Sequence, residues 1–115
     1  MYLSELENIG SVVPVIEKEQ ALMLYFYSDN CAPCISLRPK VMELVRKEFP
    51  KVSLYFVNSE KHPEIAAAYN CFSNPTLILF FDGHEYRRMS KYISISQLAA
   101  EIARPYAMMF NETGI

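Results

Sequence analysis

Glycine is scarce in this chain, at three residues in 115. With no Gly/Ser linker, internal repeat or low-complexity stretch either, nothing marks a domain boundary, and a single domain over residues 1–115 is expected. An excess of basic residues is also missing: the formal charge is −2 and the isoelectric point about 5.7. That removes the electrostatic reason to expect a nucleic acid or an anionic membrane as partner. The short basic group Arg87-Arg88, even with Lys91, reads as solvated strand surface. Long apolar runs are absent, and stretches such as Leu77 to Phe81 are far too short to span a bilayer. At the N-terminus no basic segment leads into an apolar run, and Glu5 and Glu7 do not suit a signal or transit peptide. A soluble cytoplasmic protein is expected. Only three cysteines occur, an odd number with two of them three positions apart. This argues against a secreted disulfide framework and for redox or metal chemistry in a reducing compartment.

What the chain does contain is a globular composition, 51% hydrophobic and 21% charged, and a legible order of elements. Leu3 to Gly10 reads as a short helix closed by its glycine, and Val12 to Glu19 as a second, with Ser11 as cap and Pro14 in the first turn. Leu22 to Tyr27 is apolar and aromatic throughout, as in a strand covered on both faces. From Ala32 to Glu48, Ile35, Val41, Leu44, Val45 and Phe49 suit an amphipathic helix with Pro39 as a kink. Val52 to Val57 is a second strand, Pro63 to Tyr69 a short helix and Thr76 to Phe81 a third strand. Asp82-Gly83 signals a hairpin into a more polar edge strand, Glu85 to Ser90. Ser96 is then expected to cap a last helix presenting Leu98, Ile102 and Tyr106 on one face, kinked or ended by Pro105. Four strands in this order predict an α/β fold, a central mixed four-stranded sheet with helices on both faces.

The chemistry centres on Cys31-Ala32-Pro33-Cys34. The spacing alone serves zinc, iron–sulfur clusters and redox work equally. Here the pair lies where a buried strand ends and a helix begins, with Cys31 at the helix N-terminus and Cys34 one turn inside. Unpaired N–H groups and the positive end of the helix dipole favour a thiolate at Cys31. The outer sulfur can meet a substrate disulfide and the inner one is shielded, so Cys31 is expected to attack and Cys34 to resolve the mixed disulfide. Pro33 stiffens the intervening loop.

From Leu22 onward the sequence resembles the thioredoxin family. Cys31-Ala32-Pro33-Cys34 matches its Cys-X-Pro-Cys, Pro39 its helix proline five residues after the second cysteine, Pro75-Thr76 its Pro-Thr before a core strand, and Gly83 its turn glycine. The resemblance implies a thioredoxin-like fold and a protein-disulfide reductase serving cell redox homeostasis and electron transport. It implies a monomer with no cofactor beyond the redox-active Cys31–Cys34 pair, a disulfide-containing protein as substrate, and a thioredoxin-reductase-like electron donor. It also implies that Pro75 is cis and that the backbone at Asn74 pairs with an extended substrate.

Three departures stand out. Asn30 replaces the tryptophan the family usually has before the first cysteine, and the chain has no tryptophan at all, so the flat apolar rim is missing. Asn30 is left as a hydrogen-bond donor or a helix cap, the commoner role. Tyr25 and Phe56 replace a buried aspartate and its lysine, so the acid–base pair is absent, and Tyr25 reads as core rather than proton relay. Lys91 replaces a glycine on the substrate-facing surface. It either favours the Cys31 thiolate, screens substrates by charge, or is solvated surface. The expected substrate-binding set is therefore Asn30, Ala32, Pro33, Asn74, Pro75 and Lys91, with no metal ligands.

Two other classes compete. A metal site would recruit Cys31, Cys34, Cys71 and His62 or His84, although no second Cys-X-X-Cys or His pair supports it. Cys71 reads better as a small buried hydrophobe, and His62 and His84 as exposed helix-start and turn residues. A non-catalytic adaptor would keep the fold and use the groove between Cys31 and Pro75 only for binding, which the complete dithiol argues against.

Overall fold

The structure is a computed structural model in which residues 4–110 are described. Its frame is a five-stranded sheet in the order β1-β3-β2-β4-β5. The strands are β1 (Ser4–Glu5), β2 (Ala21–Tyr27), β3 (Ser53–Asn58), β4 (Thr76–Phe81) and β5 (His84–Ser90), and the α-helices are α1 (Val12–Lys18), α2 (Ala32–Glu48), α3 (Pro63–Ala68) and α4 (Ile95–Phe110). β2 lies parallel to β3 and antiparallel to β4, and β4 turns back into β5, so the sheet is mixed as expected.

The all-apolar β2 and β4 are explained by two cores. Successive strand residues face opposite ways, which sends Met23, Tyr25, Leu77 and Leu79 into the core covered by α2 and α4. Leu22, Leu24, Phe26 and Ile78 enter the other, covered by α1 and α3. β5 is the polar edge strand, where Arg87 pairs with Glu101 at 2.8 Å and Arg88 with Glu85 at 2.8 Å. Both arginines are exposed on the strand surface as expected, and both are ion-paired there.

Several local expectations are corrected. The segment expected as a helix from Leu3 to Gly10 holds β1, followed by a 3₁₀ turn at Ile9–Ser11; Leu3 lies outside the described residues. Ser4 and Glu5 pair with Tyr55 and Phe56, and the Leu6 N–H donates to the Phe56 carbonyl at 2.8 Å. The unpaired edge of β3 thus captures a segment whose helix propensity is weak, which raises the strand count from four to five. Ser11 occupies the N-cap position of α1 as expected but makes no side-chain cap bond, and Asn8 caps the preceding 3₁₀ turn, its Oδ1 accepting from Gly10 N–H at 2.7 Å. In α2 the buried positions are Cys34, Leu37, Val41, Leu44 and Val45, while Ile35, expected on that face, is 62% exposed. Ser94 rather than Ser96 caps α4, accepting from Gln97 N–H at 3.0 Å. Pro105 does not end that helix, which continues to Phe110. Tyr106 packs against Phe49 and Phe110 on this last stretch and holds it to the core.

Candidate active site

Cys31 occupies the N-cap position of α2 with extended backbone, φ −98° and ψ 101°. Its Sγ accepts the Cys34 N–H at 3.2 Å, and Ile35 N–H donates to the Cys31 carbonyl at 3.1 Å, opening the helix. The cap is therefore the cysteine itself, and Asn30 stands outside the helix and exposed. Pro33 fits this first turn because its missing N–H would have been unpaired there. Cys31 and Cys34 form a disulfide with Cα atoms 5.2 Å apart. Cys31 is half-buried and Cys34 buried, while Ala32 and Pro33 between them are exposed. The two sulfurs thus differ in access, the outer one lying at the positive end of a 17-residue helix.

Strand register brings the other expected residues to the same end of the sheet. Phe26 pairs with Thr76, and Thr76 with Ser90. The loop after β2, the residue before β4 and the residue after β5 are consequently neighbours. The Asn74–Pro75 peptide is cis, Pro75 is buried and Asn74 half-buried. Lys91 has a positive φ of 65° and donates its N–H to the Pro75 carbonyl at 3.1 Å. Its side chain is exposed.

Beneath the dithiol, Tyr25 is buried and donates its hydroxyl to the Cys34 carbonyl at 2.6 Å. Burial pushes this phenol up to about 12, against a smaller opposing effect of Arg38. It keeps its proton at neutral pH and is no base, in agreement with its reading as core. Tyr25 stacks at a tilt on Phe56, ring centroids 5.3 Å apart. The Arg38 guanidinium lies over Phe56, 3.8 Å from the ring centroid, and 5.0 Å from that of Tyr27. Glu5 completes the group: Arg38 Nη2 donates to its Oε2 at 3.2 Å, and the Tyr27 hydroxyl lies 2.9 Å from each carboxylate oxygen. Glu5, Tyr27 and Arg38 are not among the site residues expected from the sequence. The available signal was Arg38 itself, four residues after Cys34 and hence on the same side of α2.

The competing four-ligand set is not assembled. Among the described residues no three His, Cys, Asp or Glu side chains are grouped closely enough to hold a metal ion. His84 opens β5 opposite Phe81, at the far end of β4 from Pro75, roughly 20 Å along the strand. It is a strand residue rather than a turn residue. His62 stands at the N-cap of α3, partly buried rather than exposed, and makes no side-chain cap bond. Cys71 is buried in the core beneath α1 and α3, and burial pushes its thiol up to about 11.

A dithiol closing the first turn of a helix, beside a cis-proline on a mixed α/β sheet, defines the class of thiol-disulfide oxidoreductases. The chain belongs to the thioredoxin family, whose family model, Thioredoxin, matches residues 11–104. It is 26% identical over 110 residues to the thioredoxin-like protein YdfQ of Bacillus subtilis, covering 96% of this chain and 97% of the relative. It is 30% identical over 90 residues to the chloroplastic M-type thioredoxin of Spinacia oleracea, covering 78% of this chain and 50% of that one. The solved thioredoxin of Fasciola hepatica superimposes with a TM-score of 0.80 at 28% identity, over 89% of this chain and 98% of the other. Among the described residues no helix is long and apolar enough to cross a membrane.

Proposed function

We propose that the protein reduces disulfides of other proteins, with Cys31 as nucleophile and Cys34 as resolving thiol. The observation that carries this reading is the asymmetry of the pair: Cys31 half-buried at the helix cap, Cys34 buried one turn in. The Cys31 thiolate attacks one sulfur of the substrate disulfide, forming a mixed disulfide and expelling the other sulfur as a thiolate. Cys34, as thiolate, then attacks the Cys31 sulfur, releasing the second substrate sulfur and leaving the Cys31–Cys34 disulfide. Two electrons pass to the substrate, whose leaving thiolates take up protons. Asn30, Ala32, Pro33, Asn74, Pro75 and Lys91 surround the attacked sulfur, and the backbone at Asn74 pairs with an extended substrate segment. A thioredoxin-reductase-like donor returns the electrons, and the protein works as a monomer in the cytoplasm with no further cofactor.

Insulin reduction tests the proposal. The reduced protein should precipitate insulin chains, Cys31→Ser should abolish this, and Cys34→Ser should accumulate a mixed disulfide through Cys31. Activity retained by Cys31→Ser would overturn the assignment.

A further inference from the structure

The family's buried acid–base pair is missing at Tyr25 and Phe56, yet a charged pair stands in the same row of the sheet. Glu5 pairs in register with Phe56, and Phe56 with Tyr25, so the three positions cross β1, β3 and β2 side by side. Strands lie about 4.8 Å apart, which puts Glu5 about 10 Å from Tyr25 with Phe56 between them. Arg38 bridges this row, its guanidinium over the Phe56 ring at 3.8 Å from the centroid and its Nη2 on Glu5 Oε2 at 3.2 Å. Compared with the family pattern, the carboxylate has moved two strands outward, from the Tyr25 position on β2 to Glu5 on β1, and the cation comes from α2 instead of the Phe56 position on β3.

Arg38 follows Cys34 by one turn, and helical side chains lean toward the N-terminus of their helix, so its stem runs back along the Cys34 turn. Its charge is felt at the Tyr25 hydroxyl, which itself sits 2.6 Å from the Cys34 carbonyl. We propose that Arg38 is a positioning residue for the resolving step: held by Phe56, Tyr27 and Glu5, its fixed positive charge favours the thiolate of Cys34, and Glu5 attenuates that charge from the far side. The inference rests on the reading of Cys31 and Cys34 as the working dithiol. The titratable groups around it are Glu5 on β1, Tyr25 and Tyr27 on β2, and Cys31 beside Cys34 on α2. β3 contributes the uncharged Phe56, and Pro75 precedes β4, which opens with Thr76, while Lys91 lies exposed beyond Pro75.

The experiment follows Cys34 alone. In a Cys31→Ser background, the pH profile of Cys34 alkylation is read residue by residue by mass spectrometry for the parent, Arg38→Met, Arg38→Lys and Glu5→Gln. The expected result is a midpoint raised by about half a pH unit or more in Arg38→Met, lowered in Glu5→Gln, and close to the parent in Arg38→Lys. With both cysteines present, equilibration against glutathione should move toward the disulfide in Arg38→Met and toward the dithiol in Glu5→Gln. A merely structural clasp would loosen the same way in either variant. Shifts of the same sign, or no shift, therefore overturn the proposal. If Arg38→Met does not fold, the fall in Glu5→Gln with Arg38→Lys unchanged still supports it, and its absence refutes it. Neither readout uses a protein substrate, so failure to reduce insulin would count against the proposed function and leave this result standing.

Discussion

Tyr25 offers the sharpest test of how the site is built, because one hydroxyl does two separable things. Replacing it with phenylalanine keeps the ring packed on Phe56 and removes only the bond to the Cys34 carbonyl. Losing a buried hydrogen bond of this kind costs about 1 kcal/mol at neutral pH. With a urea slope of about 1.5 kcal/mol per molar, the unfolding midpoint should fall by about 0.7 M. The second effect has the opposite sign at high pH. The phenol is raised from 10.0 to about 12 by burial, so the folded state binds the proton more tightly than the unfolded one. The stability this contributes is complete below pH 10 and is lost as pH rises toward 12. A difference of this size corresponds to about 3 kcal/mol. Tyr25→Phe has no such proton to lose. Urea unfolding of the oxidised proteins from about pH 8 to about pH 12 should therefore show the variant weaker at the start and the gap closing, then reversing, at the end. A gap that stays constant across the series would show that the hydroxyl is neither buried nor bonded as described.

Other outcomes follow from single contacts. Ser94→Ala should destabilise by about 1 kcal/mol through loss of the α4 cap, while Ser96→Ala should leave the urea midpoint nearly unchanged; equal effects would move the cap. Glu85 is held below its ordinary value of 4.5 by hydrogen bonds from Arg88. Its stabilising effect is present above about pH 4.5 and lost as pH falls through the lowered value. Because the pair is partly exposed, the effect is a few tenths of a kcal/mol. Glu85→Gln should flatten that part of the acid limb in urea unfolding, and an unchanged acid limb would refute the pairing.

Much of the site was legible in one dimension. Cys31, Cys34, Pro39 and Pro75 lie at fixed distances along the chain, and the strand-to-helix junction that gives the two sulfurs different access is written in the run from Leu22 to Cys34. Period-two apolar patterning and turn residues act locally, so β2, β4, β5 and α2 could be placed without knowing their neighbours. Glu5 shows where such reading stops: in sequence it is one acidic residue in a weakly patterned segment, and only the open edge of β3 turns that segment into a strand. Ile35 is similar, apolar and helical yet outward-facing, because the rotation of α2 against the sheet was set by Leu37, Val41 and Leu44.

The dithiol, its placement at a helix start and the loss of the family's buried aspartate and lysine were thus determined by sequence alone, since each is a matter of residue type at a stated spacing. What replaced the lost pair was decided by tertiary structure. Glu5, Phe56 and Tyr25 are separated along the chain and meet only because three strands align in register. Arg38 reaches them only because α2 packs across that row. Electrostatic effects depend on distance through space, and distance through space is what a sequence does not carry.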